Sequence, residues 1–289
     1  MNLAKITVIR NFLLFAVGLA LTPASQADVV LYGITGDGAG ISETLYTLNT
    51  ADASATFFMT LGNGDDGETI GFNPDDGFMY HASGISDGDR FWEAINLETK
   101  TIVISTQFVG PNVDEEQLAI TYDPTTDRFL VTDRDFELFS TTLGGVATDI
   151  GDVENHMKGL AFVGSDLYGA EVSSDELHAL NPLTGATLTT VNVTVGGNPV
   201  DGCNGLATHP VTGELWAIVK VGSDRMLATI NTATGVATVV GPLSDKFAGI
   251  AFSGAPPEMV PTLAQWGIIT LILALASAAF VRIRRLSLA

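Results

Sequence analysis

One cysteine, four histidines and a charged fraction of only 16% remove several chemistries at the outset. Cys203 closes no internal disulfide, and no CxxC or Cys/His spacing offers a zinc site. Packing alone must hold the fold. Nothing near Cys203 in sequence marks an activating partner, so it reads as a small, half-buried residue. Catalytic signatures are equally scarce. There is no G-x-S-x-G elbow, no H-E-x-x-H pair and no P-loop. Gly36-Asp37-Gly38-Ala39-Gly40 lacks the G-x-G-x-x-G spacing and reads as a loop. Asn63-Gly64-Asp65-Asp66-Gly67 has neither the spacing nor the distal Glu of an EF-hand, and Asp75-Asp76-Gly77 reads as a hairpin turn.

Basic charge is the other shortage: 13 Lys and Arg stand against 33 Asp and Glu. Five of the basic residues, Lys5, Arg10, Arg282, Arg284 and Arg285, lie near the ends, whereas every acidic residue falls between 28 and 259. A body this acidic repels phosphate backbones, which argues against nucleic acid as a partner. It attracts cations and suits solubility in an extracellular medium.

What is present in quantity is apolar residues, 46% of the 289, and glycine, 31 residues. That combination favours short strands joined by tight turns over long solvated helices. The two ends differ from the rest. Lys5 and Arg10 precede the apolar run Phe12–Leu21, and Ser25 and Ala27 then supply small side chains one residue apart. That order is a signal-peptide layout, with residues 1–27 removed and the mature chain starting near Asp28. At the other end, residues 267–281 read GIITLILALASAAFV. As a helix they reach about 22 Å, short of a hydrocarbon core of about 30 Å. Trp266 and snorkelling Arg282, Arg284 and Arg285 extend that reach. The arginines place the tail in the cytoplasm and the body outside.

The segment Val260-Pro261-Thr262-Leu263-Ala264-Gln265-Trp266-Gly267, then the apolar stretch, then the arginine cluster, resembles the IPTL-type C-terminal sorting signal. That signal is similar to the PEP-CTERM class handled by exosortase-like membrane proteases in Gram-negative bacteria. Val260 stands where the usual pattern has Ile, and Ala264-Gln265 where it has Ser-Glu. Pro261, Thr262, Leu263, Trp266 and Gly267 match. The resemblance covers about the last thirty residues of the 289. It implies an exosortase-like sorting protease as partner and anchoring in the inner membrane during sorting. Delivery to the periplasm, outer surface or medium would follow. It implies nothing about the body, residues 28–256, which precedes the tail at 257–289.

The body repeats. A short apolar strand and turn recur as Ile70-Gly71-Phe72-Asn73-Pro74, Ile120-Thr121-Tyr122-Asp123-Pro124, Leu160-Ala161-Phe162, Leu206-Ala207-Thr208-His209-Pro210 and Ile250-Ala251-Phe252. The steps between first residues are 50, 40, 46 and 44. Second strands follow at Phe78–Tyr80, Arg128–Leu130, Asp166–Tyr168 and Glu214–Trp216. Third strands follow at Trp92–Asn96, Leu138–Thr141, Leu177–Asn181 and Leu227–Asn231, and fourth strands as at Ala186–Val191 and Val236–Val240. Four strands in about 45 residues is the size of a propeller blade. The fifth unit stops after Phe247–Phe252, and Val29–Tyr32, Thr44–Asn49 and Ala55–Leu61 supply its missing strands. The expected fold is all-β: a β-propeller of five four-stranded blades, closed by strands from both ends, with a C-terminal membrane helix. Six blades, a β-solenoid or two sandwiches are the alternatives. The phrases Leu45-Tyr46-Thr47-Leu48-Asn49-Thr50 and Thr229-Ile230-Asn231-Thr232-Ala233-Thr234-Gly235 resemble those of secreted bacterial propellers of unassigned activity. The Trp-Asp and Gly-His marks of the WD40 class are lacking.

In such a ring the residues leading into each first strand converge on one mouth of the central channel. Here they include Asp65, Glu115, Asn155, Asp201 and Asp245. Clustered oxygen ligands suit a hard divalent cation, calcium above all, and turn chemistry alone also explains the same residues. His156, beside Asn155, is the histidine placed to act as an acid or base. His178 in a strand and His209 in a turn suit structural roles, and Trp92 and Trp216 suit packing between strands. Three functions fit: a binding or interaction module, a metal-assisted extracellular hydrolase or lyase, and a structural envelope or matrix protein.

Overall fold

The computed structural model describes residues 29–62, 69–84 and 89–254. The signal-peptide segment, the sorting tail with its apolar stretch, and Asp65 lie outside the described residues. Among the described residues no helix is long and apolar enough to cross a membrane, and every regular element is a strand.

The strands run in chain order through five sheets, antiparallel within each four-stranded blade. Blade 1 receives β1 (Val30–Thr35), β2 (Thr44–Leu48) and β3 (Ala55–Thr60). Blade 2 comprises β4 (Thr69–Asn73), β5 (Phe78–Ala82), β6 (Phe91–Asn96) and β7 (Thr101–Gln107). Blade 3 comprises β8 (Gln117–Asp123), β9 (Arg128–Asp133), β10 (Glu137–Thr141) and β11 (Ala147–Asp152). Blade 4 comprises β12 (Met157–Val163), β13 (Asp166–Glu171), β14 (Glu176–Leu180) and β15 (Thr187–Asn192). A two-residue hairpin, β16 (Thr194–Val195) and β17 (Asn198–Pro199), precedes blade 5, which holds β18 (Gly202–Thr208), β19 (Leu215–Val221), β20 (Asp224–Ile230) and β21 (Val236–Pro242). The last strand, β22 (Phe247–Ser253), returns to blade 1. It pairs with β1 from Val30↔Ser253 to Thr35↔Phe247.

This settles the blade count at five and the closure as expected. The innermost strands β4, β8, β12, β18 and β22 each pack on the next, and β22 packs on β4. A closed ring leaves no terminal sheet edge at the join. Their sequences explain how closely they can meet. A Cβ on Gly205 would lie 3.1 Å from the Ile250 nitrogen, and one on Gly249 3.2 Å from that of Ile70. A larger residue there would push neighbouring backbones apart.

Core residues sort by interface. Five buried clusters fill the five junctions between blades. Alternation makes this work, because successive side chains of a strand serve opposite neighbours. In β22, Ala251 packs toward Ile70 and Met79 of blade 2, while Ile250 and Phe252 pack toward Trp216 and Ile218 of blade 5. The junction of blades 2 and 3 is aromatic: Phe129 lies 4.7 Å from Tyr80 and 5.5 Å from Trp92, ring centre to ring centre. Trp92 is fully buried and donates Nε1–H to the Leu143 carbonyl at 3.0 Å. Trp92 and Trp216 are thus packing residues.

The turns between third and fourth strands repeat one device. Asn49, Asn96, Asn181 and Asn231 each accept, at Oδ1, the N–H two residues on, at 2.9 to 3.0 Å. These Asx turns explain the Asn that ends every such strand except β10. The Gly closing two of them also admits the next chain segment. A Cβ on Gly235 (φ +70°) would stand 2.0 Å from the Asn192 carbonyl oxygen, and one on Gly185 (φ +75°) 2.3 Å from that of Asp152. Each outgoing outer strand therefore leans on a turn of the following blade. The β16–β17 hairpin extends this contact, β16 running parallel to β21. Its Gly196-Gly197 turn, with both φ positive, was the sequence mark of a hairpin outside the five-blade pattern.

Candidate functional site

Inner strands begin on one face of the disc, here the upper face, and end on the lower. The two ends of the channel differ in chemistry because the two halves of the inner strands differ in sequence.

The upper halves carry buried polar side chains: Thr69, Gln117 and Asn204. The residues leading into these strands are the expected cation ligands, and the structure gives each its own surroundings. Asp245 accepts from the N–H groups of Gly40 (3.0 Å) and Lys246 (2.8 Å) at Oδ1. Asp201 accepts from Gly222 N–H at 2.7 Å and is exposed. Glu115 and Asn155 are half-buried, and the Glu115 carbonyl accepts from Gln117 Nε2 at 2.7 Å. Among the described residues the carboxylates of Glu115, Asp201 and Asp245 are not gathered within 4.8 Å of one another, whereas those of Asp114, Asp135 and Glu137 are. The inward member of the Glu115-Glu116 pair is Glu116, 3% exposed. It takes Arg134 at 3.0 Å from the β9–β10 turn and Lys158 at 3.6 Å from β12, tying blade 3 to blade 4.

His156 does sit on the upper face. Its ring stacks flat on Phe136, centres 4.5 Å apart and planes 2° from parallel. The other histidines are structural. His209 Nδ1 accepts the N–H groups of Val211 and Thr212 at 3.2 Å, doing in its turn what Asn73 and Asp123 do in theirs. His178 is buried, with Nδ1 3.0 Å from the Thr190 hydroxyl. His81 was not singled out from sequence, yet it lies wholly buried with Nδ1 3.2 Å from Glu93 Oε2. Ser105 donates to the other Glu93 oxygen at 3.0 Å. The clue was a polar residue inside each of two apolar strands, Tyr80-His81-Ala82 and Trp92-Glu93-Ala94. Cys203 is fully buried rather than half-buried, and burial pushes its thiol up to about 12. It stays protonated and unreactive at neutral pH.

The lower halves of the inner strands are apolar and open into a cavity of about 470 Å³. Its lining follows the repeat. Ile70, Ile120, Leu160, Leu206 and Ile250 form the buried end, followed outward by Phe72, Tyr122, Phe162, Thr208 and Phe252. Pro74, Pro124, Gly164, Pro210 and Gly254 form the rim. Four of the five middle positions are aromatic. Polarity enters at Thr208 and in the sector of blades 2 and 3, where Asp75 lines the cavity and Tyr122 OH lies 2.9 Å from its Oδ2 and 2.8 Å from Asp127 Oδ1. Burial first, then the hydrogen bonds to Asp127 and Asp75, raise the Tyr122 phenol above its usual value, so it remains a donor. These same strands carry the repeat that marks the blades, and the acidic candidates read from the sequence lie at their other end.

No protein-family model matches the chain, and no curated protein matches it. Solved structures do. In the crystal structure of a nidogen/laminin complex, 99% of one chain is matched by 79% of this one, at 12% identity and a TM-score of 0.52. A protein of unknown function from Bacteroides caccae is matched over 99% of its length and 78% of this chain, at 14% identity and a TM-score of 0.50. The glutaminyl cyclase of Myxococcus xanthus is 16% identical over 65% of this chain and 70% of its own, with a TM-score of 0.46. At such identities the likeness is one of fold alone.

Proposed function

We propose that the protein is an exported, surface-destined binding module that takes an apolar small molecule into the lower mouth of its channel. The observation that carries this is the cavity of about 470 Å³, whose lining includes half-buried Phe72 and Phe162 and the buried Phe252. Water gains little from contact with such a lining, and burying an aromatic or aliphatic group there recovers about 25 cal/mol per Å². The volume suits one small ligand. Tyr122 and Asp75 supply the polar contact that orients it. The signal-peptide layout of residues 1–27 supports export. The tail with Pro261, Thr262, Leu263, Trp266, Gly267 and the three arginines supports handling by an exosortase-like protease.

The test is titration of the full chain with a neutral apolar dye, N-phenyl-1-naphthylamine, followed by fluorescence. Saturable binding at one site is expected. Phe162→Ser should weaken it roughly 10- to 100-fold, the worth of one aromatic contact surface. Leu183→Ser, at a residue 75% exposed elsewhere, should leave it unchanged. Equal binding by both variants would remove the cavity from the argument.

A further inference from the structure

The lower mouth is apolar over most of its wall, and the charge at its edge has one sign. Among the described residues that line the cavity, Asp75 is the charged one. It is exposed, in the β4–β5 turn. Asp127, in the β8–β9 turn, shares the Tyr122 phenol with it: the single O–H lies 2.9 Å from Asp75 Oδ2 and 2.8 Å from Asp127 Oδ1. One proton cannot be given fully to two acceptors. Beside them, Asp76 Oδ2 accepts from Tyr80 OH at 2.8 Å. Burial first, then the Asp76 hydrogen bond, then the charges of Asp76 and Asp127 raise the Tyr80 phenol above its usual value. Three carboxylates thus surround two phenols at one sector of the mouth.

Positive charge is held away from this sector. Arg90, Arg134, Lys158, Lys220, Arg225 and Lys246 stand at or beside the upper ends of their strands. The two basic residues at lower ends are engaged elsewhere. Lys100 lies over the Phe58 ring, 4.5 Å from its centre, and Arg128 Nη1 lies 3.4 Å from Ser140 Oγ. Among the described residues no Lys, Arg or His forms an ion pair with Asp75, Asp76 or Asp127. A concave apolar wall with carboxylates at its lip concentrates cations and repels anions. The wall also carries aromatic rings, whose faces attract organic cations. A bare metal ion suits it poorly, because hard cations ask for about six or more oxygen ligands.

We propose that the ligand of the lower mouth is an apolar amine in its ammonium form, with the cation against Asp75 and the apolar body against Phe72 and Phe162. This rests on the reading of the cavity as an apolar binding site and gives its ligand a charge. Among the described residues, the Tyr122 phenol is the donor that reaches the Asp75 side chain, and it takes Oδ2. Oδ1 is left to accept an ammonium N–H. Asp75 follows Pro74 on the rim, so the cation keeps part of its hydration while the body enters the cavity. No unpaired charge is then buried.

Displacement of N-phenyl-1-naphthylamine from the full chain, at neutral pH and low salt, tests this with three competitors of one shape: phenylbutylammonium, phenylbutanol and phenylbutyrate. The ammonium should displace the dye at a roughly 10-fold lower concentration than the alcohol, as one charge contact near a protein surface is worth. The carboxylate should be the weakest of the three. D75N should remove the preference for the ammonium over the alcohol. D166N, at an exposed carboxylate of the lower face outside the lining, should keep it. Equal displacement by ammonium and alcohol in the wild type overturns the proposal and leaves the apolar site standing. A preference that survives D75N, or that D166N also removes, belongs to the overall charge of the protein and overturns it as well. If the dye itself does not bind saturably, the apolar reading of the cavity falls and this proposal falls with it.

Discussion

Replacing Gly159 with alanine should destabilise the propeller, although Gly→Ala inside a strand ordinarily does the reverse. The added methyl would stand 2.7 Å from Leu206 Cγ, 2.9 Å from Leu206 N and 3.0 Å from the carbonyl carbon of Gly205. Two of those atoms belong to the backbone of the next inner strand. Ordinary contact begins at 3.4 Å, so β18 must retreat by about half an ångström. In an open array it could do so. Here β18 is backed by β22, β22 by β4, and the ring returns to β12 through β8. Favouring the variant are about 0.8 kcal/mol from the buried methyl and about 0.4–1 kcal/mol from the stiffer unfolded chain. Against it stands overpacking, about 1–3 kcal/mol in a core free to adjust, and the closed ring puts this site at or beyond the upper end. The expected net is a loss of about 1 kcal/mol or more. Urea unfolding followed by tryptophan fluorescence reads this as a lower midpoint at constant slope. The equivalent residue of blade 3 is Ala119, already packed at 1% exposure, so Ala119→Gly should also destabilise, by about 1 kcal/mol. If Gly159→Ala matches or exceeds the wild type, the inner strands are not held at contact distance by one another and the argument from ring closure fails.

Other outcomes follow from the same geometry. Cys203 should resist iodoacetamide at pH 8 in the native protein and react fully in urea, since burial holds the thiol protonated and exposes it only on large-scale opening. Burial raises the Asp133 carboxyl to about 8, from 3.8 when free, and raises Glu137 in the same direction. The folded state then binds more protons than the unfolded one between those values, so stability should fall as pH rises from about 4 through 8. Asp133→Asn removes most of that slope, and its melting midpoint should overtake the wild type at pH 9 but not at pH 4. Phe129→Ala, deleting a ring packed on Tyr80, Trp92 and Tyr122, should cost about 3–5 kcal/mol in urea unfolding.

Much of the architecture was readable because one physical requirement recurs five times. Each blade needs a tightly packing inner strand and sharp turns, and so each shows a Gly- or Ala-flanked Ile or Leu, followed in three of the five by Asn73, Asp123 or His209 at a turn. Counting those units gave five, and the missing strands of the last unit appeared at the start of the chain. The functional face was less legible. Asp201 and Asp245 share a position in the repeat, but each carboxylate is taken up by nearby N–H groups, as turn chemistry also demands. Alignment of repeats cannot distinguish a residue serving its own turn from one serving a common centre. The Asp114, Asp135 and Glu137 group was missed for the opposite reason. It is assembled from a loop and a turn of one region, with no counterpart in the repeat, and only folding brings Asp114 to the others.

Shared and unshared positions therefore carry different information in this molecule. A residue type present in every blade answers a need of every blade, which is packing or turning. The lower cavity is built from such positions: the ring of Ile and Leu is first an inner-strand requirement. What goes beyond packing is the part of the middle ring where half-buried Phe72 and Phe162 extend apolar surface into an open mouth, beside the buried Tyr122 and Phe252. Blade 5 breaks that ring with Thr208, which leaves its sector wider and gives the mouth a preferred side opposite the Tyr122–Asp75 hydrogen bond. A fivefold fold cannot orient an asymmetric ligand by symmetry-equivalent groups. It does so where one blade departs from the rest, and in this chain the departures are Thr208 and the Tyr122–Asp75–Asp127 contact. Restoring the repeat at Thr208 with phenylalanine would leave packing between the blades in place while narrowing the mouth, so a loss of apolar-dye affinity without loss of stability would locate recognition in the departure rather than in the repeat.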